Sequence, residues 1–289
     1  MDFNHVKVST QTYIVQSNIA HVNLVRLAER FEPTRSLVHL KYKSVIKGPV
    51  KVAKRHLKKT PGKMFLNCAT IAVLVDDDDD DDGATKIVNV KIFTNGVFQI
   101  TGCKKLKHAT TSIQHMISLF YDCQCFSYDD SSRVQVYIIS VMRNIDFGLD
   151  FKINREVMAT IIQETTDYCV PPLTKGYMGI KIKIPLKTID DLTIVCMSFD
   201  PASSITARME EPMTFKTLMT DIVQNTKKLK KERFISISVF QNGKVLMSGP
   251  DVYYQKTYYD WFVRFITEHK HKITYVSVHP TTKKTFKLQ

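Results

Sequence analysis

Cys123-x-Cys125 and His269-x-His271 are the only closely spaced metal-ligand pairs in the chain, and neither has a second pair at zinc-site spacing. They read as two loop thiols and a basic helix end. There is no Gly-rich phosphate loop, no Gly-x-Ser-x-Gly elbow and no HExxH helix. The seven aspartates at 76–82 run without a break, whereas a two-metal carboxylate site needs separated, rigid ligands. The expectation is a non-enzyme with no cofactor, no bound metal and no small-molecule substrate. The chemistry that does recur is of another kind. Ile92-Phe93-Thr94-Asn95-Gly96-Val97-Phe98-Gln99-Ile100-Thr101-Gly102 and Val239-Phe240-Gln241-Asn242-Gly243-Lys244-Val245-Leu246-Met247-Ser248-Gly249 share one pattern. Each has a Phe, then Asn-Gly, then an alternating run that ends in a hydroxyl residue and Gly. Phe93 and Phe240 are 147 residues apart, about half the chain, so one supersecondary unit has been built twice.

The elements that position these residues follow in the same order in each half. In the first, Val6–Tyr13 alternates as a strand, and Asn18–Arg30 has the apolar spacing of a short helix. Leu37–Ile46 is a strand. Lys86–Thr94 and Val97–Thr101 form a hairpin through Asn95-Gly96, and Lys104–Tyr121 is a helix with Leu106, Ile113, Ile117 and Phe120 inward. In the second, Val134–Val141 is a strand and Asn154–Glu164 a helix. Tyr177–Leu186 alternates as a half-buried strand. Phe234–Phe240 and Lys244–Ser248 form the second Asn-Gly hairpin, and Asp251–Glu268 the closing helix, with Val252, Phe262, Phe265 and Ile266 inward. The reading divides the chain into a first repeat at 1–126, a second at 127–276 and a basic tail at 277–289. Each repeat carries an insertion, at about 47–85 and about 187–232. The first holds an apolar strand, Phe65–Val75, and the aspartate run; the second ends in a basic helix, Phe215–Lys231. The aspartate run reads as a solvated loop tip, or as a phosphate mimic or dock for a basic partner.

Net charge is +13, and without the seven aspartates the rest of the chain carries +20. A surplus of that size points to a polyanion, nucleic acid first and anionic membrane second. No apolar run approaches the length of a membrane span, and the N-terminus lacks the order of a signal peptide. Six sparse cysteines read as reduced thiols of an intracellular protein.

The twofold Phe-x-x-Gly-x-x-x-x-Thr/Ser-Gly pattern resembles the TATA-box-binding protein family. Ser9-Thr10 is similar to the start of that family's first strand, Phe31-Glu32-Pro33-Thr34-Arg35 to its first turn, and Phe151-Lys152-Ile153 to its second-half start. The likeness covers most of 4–270 outside the insertions and is closest in kind to the divergent version carried by large DNA viruses. It implies an α+β, pseudo-twofold saddle: one curved antiparallel sheet with helices on its convex face and double-stranded DNA on its concave face.

What the resemblance implies for residues follows from the alternation. Phe93, Asn95, Val97, Gln99 and Thr101 share one parity, as do Phe240, Asn242, Lys244, Leu246 and Ser248. These match the DNA-facing positions, with Phe93 and Phe240 as inner wedges that unstack base steps, and an ordinary place in the hairpin core as the alternative. Leu37 and Tyr177 match the outer wedges. The family's central asparagines fall on Val6 and Met142, with Asn4 and Asn144 two residues away and Val8 beside them. Thr101 and Ser248 offer hydroxyls to minor-groove acceptors. Arg35, Lys41, Lys43, Lys181, Lys183 and Lys244 could contact phosphates. Gln99 stands where the family has an apolar residue, which favours minor-groove binding over recognition of a TATA sequence.

Two functions follow. One is an initiation factor that bends promoter DNA, with an A·T-rich minor groove and initiation factors or RNA polymerase as partners. The other is a scaffold of a viral transcription or packaging assembly that keeps the saddle without tight DNA binding. The insertions, placed away from the wedge loops, are expected to serve protein partners without blocking the groove face. The setting expected is a host nucleus, a cytoplasmic viral factory or the virion.

Overall fold

The computed structural model describes residues 2–49, 67–77, 84–128, 133–173, 176, 178–200, 206–222 and 232–275. Its strands are β1 (Val8–Ser17), β2 (Ile19–Val22), β3 (Leu37–Tyr42), β4 (Val45–Lys47), β5 (Cys68–Asp76), β6 (Thr85–Phe93), β7 (Phe98–Cys103), β8 (Phe126–Tyr128) and β9 (Val134–Gly148) in the first part of the chain. β10 (Gly179–Pro185), β11 (Thr193–Asp200), β12 (Thr206–Met209), β13 (Met213–Thr214), β14 (Phe234–Phe240) and β15 (Lys244–Gly249) follow. The longer helices are α1 (Leu24–Arg30), α2 (Leu106–Cys123), α3 (Arg155–Thr165) and α4 (Val252–Ile273).

Thirteen of the described strands form one antiparallel sheet whose spine runs β10-β14-β15-β9-β1-β7-β6-β5-β3-β4. β1 and β9, the first strands of the two halves, pair at its centre. Flanking them, β7–β6 and β15–β14 are the two Asn-Gly hairpins. The architecture is the α+β pseudo-twofold saddle.

Alternation decides which residues each sheet face buries. Val88, Val90, Ile92, Phe98 and Ile100 point into a core closed by α2, through Ile113, Ile117 and Phe120. Ile145, Ile235, Ile237, Val245 and Met247 point into a second core closed by α4, through Tyr259, Phe262 and Phe265. Phe98 meets Phe120 at 5.7 Å between ring centroids, and Phe147 meets Phe262 at 6.0 Å. α2 and α4 therefore lie on one side of the sheet; the other side of the hairpins is the open face.

The duplication extends to the caps. Asn23 accepts from Arg26 N–H and starts α1; Asn154 accepts from Val157 N–H and starts α3. The chain just before each cap grips the hairpin tip of its own half. Val22 N–H donates to Thr94 O at 2.8 Å, and Ile153 N–H donates to Gln241 O at 2.9 Å. That tertiary grip, with β8 pairing, keeps Ile19–Val22 extended and limits the helix expected over Asn18–Arg30 to Leu24–Arg30.

Other expectations are corrected by pairing. Val6–Tyr13 shifts to Val8–Ser17, because Asp2 caps a 3₁₀ turn at Phe3–His5 and Phe3 buries edge-on against Tyr259, 5.2 Å away. Leu37–Ile46 divides into β3 and β4 at a turn where Lys43 takes φ of 50°. Of the apolar run expected at Phe65–Val75, the described part belongs to the sheet: Cys68–Val75 lie in β5, which pairs with β6 along its full length and with β3 on its other edge. Leu106 and Val252 lie exposed in the first turns of α2 and α4. The tail at 277–289, residues 223–231 and Asp78–Asp82 lie outside the described residues.

The two halves place one corresponding strand differently. In the first, β5 separates β6 from β3; in the second, β14 pairs directly with β10. The strand that follows β10 in sequence, β11, pairs instead with the N-terminal half of the 15-residue β9, Val195 opposite Ile138 and Phe199 opposite Val134. With β12, β13 and a helical turn at Phe215–Thr217 it encloses a third core of Tyr137, Ile139, Ile189, Leu192, Ile194, Cys196, Phe215 and Leu218.

Candidate nucleic-acid interface

Register defines the open face row by row. Side chains of directly paired residues share a face. Asn89 pairs with Thr101, Thr101 with Thr12, and Thr12 with Met142. In the other half Ser236 pairs with Ser248, Ser248 with Asn144, and Asn144 with Thr10. These two rows are twofold mates and put hydroxyls and amides at the centre of the sheet. The next rows outward are Lys91–Gln99–Ile14–Ile139 and Ser238–Leu246–Asp146. Phe93 and Phe240 come next, half-buried at the ends of β6 and β14, opposite Cys68 and Gly179.

The expected parity therefore describes the backbone correctly. Phe93, Val97, Gln99 and Thr101 lie on the open face and are only partly buried, as are Phe240, Leu246 and Ser248 of the second half, with Lys244 exposed on the same face. Asn95 and Asn242 are exposed in the turns, where the Asn242 side chain accepts from Lys244 N–H at 3.1 Å. Asn144 is on the open face, with its Oδ1 buried and unpartnered.

The remaining expected residues are placed differently. Leu37 is 8% exposed and belongs to the first core, opposite Val73, so it is no wedge. A bulge between Leu37 and His39 turns it inward. Val8, opposite Ile145, packs with Val6 against the second core, on the helix side. Val6 precedes the strand, and Asn4 is exposed in the 3₁₀ turn, so neither reaches the centre. Tyr177 lies outside the described residues. Arg35 is exposed in the loop before β3, and Lys43 in the β3–β4 turn. Lys41, Lys181 and Lys183 are on the open face, opposite Thr70, Ser238 and Ser236.

Thr10, Thr12, Lys91 and Asp146 escaped the sequence reading. Lys91 and Asp146 follow from the parity of their strands once Gln99 and Leu246 are placed. Thr10 and Thr12 do not: a register shift between Val8 and Thr10 leaves Val8 on the helix side and turns Thr10, Thr12 and Ile14 to the open face.

One part of this face is covered. Ile139, opposite Ile14, is fully buried, and Tyr137, opposite Gln16, is nearly so, beneath the unit built on β11. The second insertion thus reaches the face beside its centre, contrary to the expectation that it would stand clear of it.

At the far end of β5, one residue of the aspartate run is fixed in place. Asp77 is 5% exposed, receives a 2.6 Å hydrogen bond from Lys104 Nζ, and its N–H donates to Ala84 O. The Lys104 hydrogen bond holds its carboxyl below the usual range against the opposing effect of burial. His108 Nδ1 accepts from Lys104 N–H at 3.3 Å, leaving Nε2 3.8 Å from Asp77 Oδ1, and burial lowers its pKa. This cluster ties the β5–β6 hairpin to the start of α2.

Among the described residues no three His, Cys, Asp or Glu side chains are grouped to hold a metal ion. No helix among them is long and apolar enough to cross a membrane. No family model matches the chain. The TBP of Methanococcus jannaschii superposes with a TM-score of 0.47 at 11% identity, covering 91% of this chain and 98% of that one. A protein of Acanthamoeba polyphaga mimivirus described as TATA-box-binding protein-like is 27% identical over 133 residues, 43% of this chain. The match spans about a third, 35%, of that relative's own length, and the chain is similar to it over that part.

Proposed function

We propose that this protein binds duplex DNA in the minor groove through its open face and serves transcription initiation. The observation that carries this is the pair of twofold rows, Thr101–Thr12–Met142 and Ser248–Asn144–Thr10, flanked by Phe93 and Phe240. Hydroxyl and amide groups suit the acceptors of a minor-groove floor, and an aromatic side chain at each end can enter a base step. Minor-groove kinking of this sort is the general behaviour of TATA-binding proteins, and its energetics are those of that class. Unstacking costs on the order of a few kcal/mol per step, offset by the protein surface that the bend brings into contact. Lys41, Lys91, Lys181, Lys183 and Lys244 surround the rows with positive charge. The likeness to a TATA-box-binding protein-like relative supports initiation factors or RNA polymerase as partners, in a nucleus or viral factory.

The test is a gel shift at fixed salt on A·T-rich and mixed duplexes, with end-labelled fluorescence transfer to read bending. Phe93→Ala with Phe240→Ala should abolish the bend and weaken binding by about tenfold or more. Binding and bending that survive both substitutions would refute the wedge mechanism.

A second reading rests on the covering of Ile139 and Tyr137 by the β11 unit. A scaffold that has lost tight DNA binding tolerates a covered centre, whereas a groove binder must seat DNA beside it. Absence of binding to any duplex at low salt decides for the scaffold.

A further inference from the structure

We infer that Asp146 makes the second half of the open face select a G·C pair, by accepting a hydrogen bond from the guanine N2 amino group. The inference rests on the minor-groove reading above. Asp146 lies in β9 directly opposite Leu246. Its neighbours Ile145 and Phe147 point the other way, against α4. The carboxylate is therefore on the face with Ser248, Leu246 and Phe240, only partly buried, and without an ion-pair or hydrogen-bond partner among the described residues.

A carboxylate can only accept. The floor of an A·T minor groove presents only acceptors, A N3 and T O2, so against it Asp146 would be desolvated, unpartnered and repelled. The single donor that any base pair offers there is guanine N2–H₂. Leu246 beside it excludes water, which strengthens a charge-assisted bond and raises the cost of a missing one. Lys244, exposed on the same face two residues along β15, can answer a flanking phosphate and offset the charge.

The duplication shows that this acid is a property of one half. The twofold mate of the Leu246–Asp146 pair is Gln99–Ile14. The polar member has changed strands and changed character: Gln99 both donates and accepts, whereas Asp146 only accepts. The two halves therefore read different base pairs at equivalent steps, which also gives the bound protein a direction on DNA.

The test walks one G·C pair through an otherwise A·T site and repeats each duplex with I·C, which lacks the N2 amino group. Affinities are measured at one salt concentration for the natural protein and for Asp146→Asn, a near-isosteric change at a partly exposed site. At one position G·C should bind about tenfold tighter than both A·T and I·C. Asp146→Asn should reverse the preference at that position only, because an amide can donate to A N3 or T O2. Equal binding of G·C and I·C at every position overturns the inference and leaves minor-groove binding intact. So does a gain in affinity with Asp146→Asn that is equal on all duplexes, the mark of plain repulsion. No binding to any duplex overturns the minor-groove reading and this one together.

Discussion

Gly96 and Gly243, 147 residues apart, are pinned by the same device: each turn is pressed against backbone carbonyls of the chain that follows the central strand of its own half. Gly96 has φ of 73° and meets Ile19 O, and Ser17 Oγ donates to its carbonyl at 2.7 Å. Gly243 has φ of 87°, with Phe151 O and Leu149 O at 2.6 and 2.8 Å from where a Cβ would stand. Asn-Gly is therefore required for packing as well as for turn geometry.

Alanine at either glycine must accept a left-handed backbone and displace main chain. Gly96→Ala and Gly243→Ala should each cost about 2–4 kcal/mol, and Gly102→Ala, at φ of 92° with its nearest contact at 3.5 Å, about 1 kcal/mol. Gly148→Ala, with nothing within 4 Å, should be near neutral. Urea denaturation midpoints at constant m rank the four variants; equal losses at Gly96 and Gly148 would contradict the packing account.

Cysteine reactivity offers a direct check on the fold. Cys68, Cys103, Cys123, Cys125 and Cys196 are buried and Cys169 is exposed. Burial pushes Cys103 and Cys125 up to about 12, which removes the reactive thiolate at neutral pH. Native protein should release one fast equivalent with a thiol reagent, and Cys169→Ser should abolish it. A second fast thiol in the native state would mean that one of the buried cores opens.

Much of this fold is legible because each hairpin states its own register. Asn-Gly fixes the turn, alternation fixes the faces, and the repeat supplies a second copy to check against. The centre is less legible because β1 carries a register shift between Val8 and Thr10, so Val8 turns to the helix side while Thr10 and Thr12, of the same sequence parity, face outward. Leu37 misleads for the same reason: a bulge turns an apolar residue at a plausible wedge position into the core. β5 and β11 fill corresponding places in sequence, and both read as apolar runs. Only non-local pairing reveals that one enters the sheet between β3 and β6 while the other docks on β9.

The lysines of the open face should act through phosphates rather than bases. Lys41, Lys181, Lys183 and Lys244 are set on four strand positions around the central rows. Changing any one to alanine should weaken all duplexes alike and reduce the slope of log affinity against log salt by about 0.9. Fluorescence anisotropy from low to moderate salt reads the slope. A lysine whose loss shifts sequence preference instead would be a base contact.

The Asp77–Lys104–His108 cluster should make stability depend on pH well above the usual acid limit. Asp77, lowered chiefly by its Lys104 hydrogen bond, contributes stability that is present above 3.8 and lost as pH falls through its native value. His108, lowered chiefly by burial and facing Lys86, Lys104 and Lys105 as well as Asp77, is harder to protonate in the native state than in the unfolded chain. The unfolded chain takes up that proton below 6.5, so native stability should begin to fall there rather than near the carboxylate range. In His108→Asn, the side-chain oxygen can accept from Lys104 N–H in place of Nδ1, and nothing titrates. Its denaturant midpoint should fall less steeply below 6.5 than that of the natural protein, the remaining slope belonging to His115, which burial also lowers, and Asp77→Asn should weaken the lower limb. If His108→Asn declines from 6.5 as the natural protein does, the upper limb belongs to another group.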